Sequence, residues 1–270
     1  MEKLDFLIEY LIKEKNNEIE LNNLPKEEKK RLFRSLCNIR EPRPISNEYI
    51  QIENEYLQEE LQSKEITNIE DIKTTLELFP SSNLKYKDKI CLWKGDITTL
   101  KINAIVNAAN SQGLGCFIPC HKCIDNAIHS ASGVQLRLEC NNKMKEIGKI
   151  ETGKAIITKG YNLPAKYVIH AVGPIIYEEV TEKDIEALKK CYIYSLELAK
   201  ENNVKEIAFC CISTGEYRFP KNQASKIAID TVVQYLDENE NQFDKIVFNV
   251  FTKQDYNIYL KILGEKYGRI

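Results

Sequence analysis

The sequence predicts a layered α/β domain with a mainly parallel sheet covered on both faces, preceded by an N-terminal helical extension. From about residue 84 onward, short β-rich runs alternate with helical patterns, which is typical of strands joined by crossover helices. Before that point the chain is rich in Lys, Glu, Asn and Leu and shows helical periodicity. We therefore expect a helical extension over residues 1–83 and an α/β domain over residues 84–270.

The extension contains three helical patterns. The second covers residues 26–37 and begins after Pro25, where proline is tolerated, and the third covers residues 47–62. Pro42 and Pro44 end the second pattern, because residues before proline avoid the helical region. The first pattern is defined by apolar residues at helical spacing: Leu4, Leu7, Ile8, Leu11 and Ile12.

The α/β part contains six β-rich runs separated by helical patterns. In such folds, ligand sites lie at the carboxyl ends of the strands, so the loops that follow these runs are the places to look for chemistry. The runs are KICLWKG, AIVNAAN, KAIITKG, KYVIHAVG, EIAFCCIS and KIVFNVF, and the helical patterns lie around residues 124–140, 184–202, 222–237 and 254–263.

Composition limits the partners and the compartment. Lys plus Arg (38) nearly balance Asp plus Glu (40), so we expect neither nucleic acid nor an anionic membrane as a partner. No apolar run is long enough to span a bilayer, and the acid-rich start fits no secretory or transit signal, so we expect a cytoplasmic protein. A reducing compartment would keep the nine cysteines as thiols.

Reactive residues are concentrated in the connection between the run AIVNAAN and the next helix. Cys116, His121 and Cys123 supply two thiolates and an imidazole within eight residues, a donor set that favours zinc over magnesium or calcium. Cys120 is the remaining candidate ligand, but its adjacency to His121 strains simultaneous ligation. Three protein ligands with one open position are typical of a catalytic zinc, and we expect one Zn²⁺ per chain.

Two further loops have two interpretations each. Asp96 follows the first β-rich run, where its carboxylate can accept from an exocyclic amine such as that of adenine or can cap the following turn. Residues 213–220 precede a helix and offer hydroxyls, a glycine and backbone N–H groups, which suit a phosphate or an ordinary helix cap.

Five motifs, in this order and at these intervals, resemble the macrodomain signature over roughly residues 84–265. The resemblance implies a three-layer α/β/α macrodomain with a mixed, mainly parallel central sheet, a fold that binds ADP-ribose. The motifs are Gly95-Asp96-Ile97-Thr98, Asn107-Ala-Ala-Asn110, Ala127-Ile128-His129, His170-Ala-Val-Gly-Pro174 and Ile212-Ser-Thr-Gly215 through Phe219-Pro220.

The resemblance also assigns ligand contacts. It implies that Asp96 contacts adenine, that Phe251 packs on adenine, and that Asn110 orients the distal ribose. The loop of residues 213–219 would hold the diphosphate. The implied ligand-binding residues are Asp96, Ile97, Asn110, Ser213, Thr214, Gly215, Glu216, Tyr217, Arg218, Phe219 and Phe251.

The chain departs from most macrodomains at residues 115–125, where cysteines and a histidine replace a run of glycines. This departure and the helical extension resemble the zinc-containing macrodomain subfamily of microbes. An open zinc beside the distal ribose would lower the pKa of a bound water from 15.7 toward roughly 7. Asp125 would orient or deprotonate the water or cap the following helix, and Asn110 and Asp125 are the expected catalytic residues. His129 and His170 are expected to be structural.

The resemblance implies a zinc-dependent hydrolase that removes ADP-ribose from mono-ADP-ribosylated proteins. Relatives in that subfamily are associated with a lipoyl carrier protein, which makes such a carrier the expected substrate partner. The alternatives are a non-catalytic ADP-ribose-binding reader whose zinc shapes the pocket, and an enzyme acting on a small ADP-ribose derivative.

Overall fold

The computed structural model describes residues 2–264, so the last residues of the predicted α/β domain, 265–270, lie outside the described residues. The helices are α1 (Lys3–Lys13), α2 (Lys26–Ile39), α3 (Asn47–Gln62), α4 (Thr75–Leu78), α5 (Ile124–Ser132), α6 (Val134–Ile147), α7 (Glu182–Glu201), α8 (Lys221–Glu238) and α9 (Lys253–Gly264). The strands are β1 (Thr67–Asn68), β2 (Ile90–Lys94), β3 (Leu100–Lys101), β4 (Ala104–Ala108), β5 (Ala155–Lys159), β6 (Tyr167–Ala171), β7 (Glu206–Phe209) and β8 (Lys245–Val250).

The central sheet has six strands in the order β2-β8-β7-β4-β6-β5. Only the β5–β6 pair is antiparallel among these neighbours, and the other four pairs are parallel. Each of the six β-rich runs forms one of these strands, which confirms the predicted mixed, mainly parallel sheet. The short strands β1 and β3 form a separate parallel pair.

Alternate residues of the sheet face two different helical layers. In the paired strands β4 and β6, Asn107 and His170 lie side by side and face α5 and α6. Phe209 pairs with the preceding residue of β4, and it therefore points to the opposite face, where it packs on Tyr192 of α7. Phe248, its neighbour on β8, packs on Tyr259 of α9. The protein is therefore the expected three-layer α/β/α structure.

Helices α1 to α3 form a second hydrophobic cluster that stacks on the α5 and α6 layer. Leu7 and Ile8 of α1 and Tyr49 of α3 are fully buried in this cluster, as the helical spacing of the apolar residues predicts. Helix α2 contacts α5, so this cluster adjoins the loop that leads into α5. Among residues 2–264, no helix is both long and apolar enough to cross a bilayer.

One predicted helix, over residues 124–140, is wrong in extent. It consists of two helices, α5 and α6, separated at Gly133, whose φ of +91° favours glycine. A Cβ atom at this position would lie 2.8 Å from Oε2 of Glu53 on α3. The same carboxylate accepts a hydrogen bond of 2.8 Å from the backbone N–H of Val134, the first residue of α6. The break is therefore fixed by a contact with a helix far away in the sequence.

Candidate functional site

A groove of about 640 Å³ runs across the carboxyl ends of the neighbouring strands β4, β7 and β8. The loops after these strands bring together most of the side chains predicted from sequence, because parallel strands end at the same edge of the sheet. The predicted residues that line the groove are Asn110, Cys116, His121, Cys123, Asp125, Ser213, Thr214, Gly215, Glu216, Tyr217 and Phe251.

The three predicted metal ligands meet in one wall of this groove, on the segment of residues 114–123, hereafter the metal loop. One ligand atom from each of Cys116, His121 and Cys123 lies within 4.8 Å of the others. Nδ1 of His121 is 3.6 Å from Sγ of Cys116, and its Nε2 is 3.6 Å from a carboxylate oxygen of Glu216. An outer carboxylate commonly orients a ligating imidazole in this way, so the donor set and its surroundings fit zinc.

Cys120 and Cys123, which lie on either side of His121 and Lys122, have different roles. Sγ of Cys123 caps the start of α5 by accepting a hydrogen bond of 3.4 Å from the backbone N–H of Asn126. Burial raises the pKa of the Cys123 thiol to about 12, and the adjacent Cys116 adds to the rise. A bound cation opposes such a rise, because it favours the thiolate. Cys120 is turned away from the ligand cluster, and its thiol donates to the backbone oxygen of Arg31, 3.4 Å away.

Asp125 lies within the first turn of α5 and reaches the same wall. The residue is 5% exposed, and its carboxylate accepts a hydrogen bond of 2.7 Å from Nδ2 of Asn107, with Nδ2 of Asn110 at 3.5 Å from the other oxygen. Burial raises the pKa of Asp125 to about 6, against the opposing effects of Asn107 and the Arg137 guanidinium. A partly desolvated carboxylate held in one orientation suits a general base.

Two buried histidines lie near this carboxylate. His170 accepts from Asn107 through Nδ1 at 3.1 Å and faces the Thr158 hydroxyl through Nε2 at 2.9 Å, so it is a satisfied core residue, as expected. Burial lowers the pKa of His170 to about 3. His129 is also buried, with Nε2 3.6 Å from Asp125, and burial holds the pKa of its imidazole well below the usual range. Both rings are therefore neutral at physiological pH.

The loop after β7, residues 213–219, hereafter the diphosphate loop, is closed by its own backbone. The N–H of Phe219 donates to the oxygen of Ser213 at 2.9 Å, and the N–H of Arg218 donates to that of Gly215 at 3.0 Å. The hydroxyl of Ser213 is buried and has no hydrogen-bond partner within the described chain. An unpaired buried hydroxyl is costly, and an anionic ligand in the groove would satisfy it.

Four of the residues predicted to bind the ligand do not line the groove. Asp96 is exposed, and its carboxylate accepts from the backbone N–H and the hydroxyl of Thr98 at 2.9 and 2.7 Å. The structure thus shows the capping role of this aspartate. Ile97 and Phe219 are buried in the core, and Arg218 is exposed with a φ of +60°. Phe251, by contrast, lies at the groove with 76% of its surface exposed.

Two charged residues of the groove, Lys122 and Asp255, were not predicted from the sequence. Asp255, in the first turn of α9, lines the groove beside Phe251 and forms an ion pair of 2.9 Å with Lys221. Its backbone N–H donates to the hydroxyl of Thr252 at 3.1 Å, which is a helix-capping arrangement. The spacing Thr252-x-x-Asp255 could have located the helix start, but not its position against the groove.

Fold and groove together define a macrodomain. The sequence model of the family described as Macro domain matches residues 106–228, within the α/β part of the chain. Relatives that match nearly the whole chain extend this assignment beyond the matched segment. The chain belongs to the macrodomain family.

Two of these relatives carry the name Protein-ADP-ribose hydrolase. The one from Treponema medium is 48% identical over 266 residues, which cover 97% of this chain and 98% of the relative. The one from Staphylococcus aureus strain MSSA476 is 44% identical over 260 residues, which cover 95% and 93%. A crystal structure of the Trypanosoma brucei macrodomain in complex with ADP-ribose superposes with a TM-score of 0.66 at 32% identity, covering 82% of this chain and 92% of that chain.

Proposed function

We propose that this protein is a zinc-dependent hydrolase that removes ADP-ribose from mono-ADP-ribosylated proteins, as a member of the zinc-containing macrodomain subfamily. The observation that carries the proposal is that a three-residue ligand cluster and the Asp125 carboxylate lie in the same groove. The relatives named Protein-ADP-ribose hydrolase and the macrodomain bound to ADP-ribose support the substrate class.

The metal centre consists of Cys116, His121 and Cys123 with one Zn²⁺ per chain. Two sulfurs and one nitrogen within 4.8 Å of one another are a ligand set that zinc prefers. Bound there, zinc would supply Lewis-acid chemistry beside the distal ribose and make water more acidic. Cys120 is not a ligand in this proposal, because its thiol faces Arg31 on α2.

Asp125 and Asn110 act on the distal ribose in this proposal. Asp125 accepts a proton from the water whose oxygen bonds to the anomeric carbon, while the bond from that carbon to the modified side chain breaks and its electron pair leaves with the side chain. Asn107 keeps the Asp125 carboxylate in place through the 2.7 Å hydrogen bond. The amide of Asn110 donates to the backbone oxygen of Gly115 at 3.2 Å, which fixes it at the start of the metal loop. From there it orients the ribose hydroxyls toward the reacting centre.

The remaining part of the groove binds the nucleotide. The diphosphate is held by the diphosphate loop, where the unpaired Ser213 hydroxyl and the backbone N–H groups act as donors. Adenine packs on the exposed ring of Phe251 at the end of β8. Asp255 lies beside Phe251, where Lys221 and the Thr252 hydroxyl hold its carboxylate.

A label-release assay tests this proposal. The full chain is incubated with a protein carrying labelled ADP-ribose, with and without a chelator, and free label is followed over time. We expect release that stops when the metal is removed and returns when zinc is added. Binding of ADP-ribose without release would favour the non-catalytic reader, and release after verified metal removal would overturn the zinc mechanism.

The modified protein and the compartment are further proposals. A mono-ADP-ribosylated lipoyl carrier protein is the substrate to assay first, on the subfamily resemblance described above. We also propose a cytoplasmic location, because all nine cysteines are free thiols, as a reducing compartment would keep them. Detection of the protein in a fractionated cell extract would test the location.

A further inference from the structure

We propose that helix α2 is a working part of the metal centre, with Arg34 and Asn38 acting as positioning residues that hold the metal loop in its ligating shape. This inference rests on the proposed zinc site. In this proposal the N-terminal helices do more than stabilise the fold, because they also raise the affinity of the site for the metal.

The metal loop needs such support, because it has no regular structure of its own. Residues 116–123 contain no helix or strand, and Cys120 has a φ of +51°, which side-chain-bearing residues rarely adopt. Ordering the backbone of a loop costs conformational entropy. A loop that is already ordered before the metal binds does not pay this entropic cost on binding, so it binds the metal with higher affinity.

Arg34 reaches the metal loop directly. Its Nη2 donates to the backbone oxygen of His121 at 3.2 Å, and both Nε and Nη2 donate to the side-chain oxygen of Asn126, at 3.1 and 2.7 Å. Asn126 is fully buried and in turn contacts two further residues of the metal loop. Its Nδ2 donates to the oxygen of Ile118 at 3.0 Å, and its backbone N–H contacts the sulfur of Cys123.

Asn38 holds the strained residue of the loop. Its side-chain oxygen accepts a hydrogen bond of 2.8 Å from the backbone N–H of Cys120, and its amide donates to the Ser130 hydroxyl at 3.1 Å. The Asn38 side chain is 1% exposed, so these contacts form away from competing water. Through these two buried hydrogen bonds, Asn38 links α2 to the metal loop and to α5.

Arg137 connects α2 to the other end of the metal loop. Its Nη1 lies within hydrogen-bond distance of the oxygens of Cys37, Asn38 and Arg40, at 2.7 to 2.9 Å. Its Nε donates to the oxygen of Leu114 at 2.8 Å, and its Nη2 reaches that of Cys116 at 3.5 Å. Each of the three ligand residues therefore has an anchoring contact: Arg137 at Cys116, Arg34 at His121 and Asn126 at Cys123.

Zinc affinity measured by chelator competition tests the inference on the full chain. We expect Arg34→Gln to weaken zinc binding about 10-fold or more, the range seen when groups that orient metal ligands are removed. The matched control is Arg31→Gln, an exposed arginine of the same helix, which should bind zinc within about twofold of the unmodified protein. ADP-ribose affinity of the metal-free proteins is the second measurement, and Arg34→Gln should leave it unchanged.

The outcomes separate this inference from the proposed function. An unmodified protein that binds no zinc overturns both, whereas normal zinc affinity in Arg34→Gln overturns only the role of α2. Equal losses of zinc and ADP-ribose affinity would show general damage and would also overturn it. If Arg34→Gln does not fold, Arg34→Lys decides by the same measurements, because an ammonium cannot reproduce the fixed pair of donors, Nε and Nη2, that a guanidinium presents to the Asn126 oxygen.

Discussion

The metal loop and the diphosphate loop face each other across one groove, but they are held in different ways. The diphosphate loop closes on itself through the hydrogen bonds from Phe219 to Ser213 and from Arg218 to Gly215. The metal loop instead depends on contacts from Arg34 and Asn38, more than 80 residues away in the sequence. In our proposal the N-terminal helices therefore support the metal loop but, within the described residues 2–264, make no comparable contact with the diphosphate loop.

The largest effect is expected from removing a metal ligand. Cys123→Ala should abolish zinc binding and reduce label release by about 10³-fold or more, because the Lewis-acid contribution of a metal amounts to several kcal/mol. Metal analysis and the label-release assay measure both effects. Cys120→Ala is the control and should retain zinc and activity, since its thiol faces Arg31. Loss of zinc in Cys120→Ala would overturn the choice of ligands.

Removing the proposed base should slow the hydrolysis without weakening the binding of zinc or of ADP-ribose. Asp125→Asn should lower the rate of label release about 10²-fold, because proton transfer by a positioned side chain contributes at least this much. Zinc content and ADP-ribose affinity should stay close to those of the unmodified protein. Single-turnover kinetics measures the rate, and a rate within twofold of normal would exclude Asp125 as the base.

The contact between α3 and the start of α6 should respond to pH through Glu53. Burial raises the pKa of Glu53 from 4.5 to about 7, and its surroundings include the Tyr49 hydroxyl, the Arg40 guanidinium and the Cys37 thiol. The folded state therefore binds the proton of the Glu53 carboxyl more tightly than the unfolded state does. The resulting stabilisation of the folded state is present at low pH and is lost as pH rises toward 7. Between pH 5 and pH 7 the loss is about 2 kcal/mol.

Urea unfolding of Glu53→Gln at both pH values measures this contribution. The amide stays neutral, so the variant should gain stability relative to the unmodified protein as pH rises from 5 to 7. Glu55→Gln, an exposed residue of the same helix, is the control and should not show this pH-dependent gain. A stability difference between Glu53→Gln and the unmodified protein that is constant with pH would contradict the buried, protonated state of Glu53.

The smallest effect is expected at the far end of the groove. Phe251→Ala should weaken ADP-ribose binding about 10-fold, because stacking on a base is worth roughly 1–3 kcal/mol. Zinc content should not change, since the phenyl ring is 76% exposed and contributes little to the core. Titration calorimetry with ADP-ribose measures the affinity. A loss of zinc in this variant would show that the two ends of the groove are coupled.

Local patterns predicted most of the fold and the metal cluster. The β-rich runs became the six strands because alternation and apolar content act within one element, and Cys116, His121 and Cys123 meet because they are close in sequence. Helix boundaries that depend on distant contacts were missed. Gly133 ends α5 because Glu53, 80 residues earlier, caps α6, and no pattern around Gly133 contains that information.

The placement of individual ligand residues was harder to predict for the same reason. Asp96 and Phe219 belong to recognisable motifs, but their side chains are a turn cap and a core residue in this chain. Asp255 reaches the groove only because α9 starts beside the end of β8. The contacts of Arg34 with His121 and Asn126 join segments about 90 residues apart, which spacing cannot reveal.

Cys123 is both a proposed metal ligand and the residue that caps α5. This double role fixes the distance between the metal site and the residues of the first turn of α5. Asp125 is the second residue of that helix, so its offset from the metal is set by helical geometry and not by loop conformation. Insertions within residues 117–119 would lengthen the segment between Cys116 and His121 but would leave this offset unchanged. One residue inserted between Cys123 and Asp125 would rotate the carboxylate by about 100° and remove it from the reacting centre.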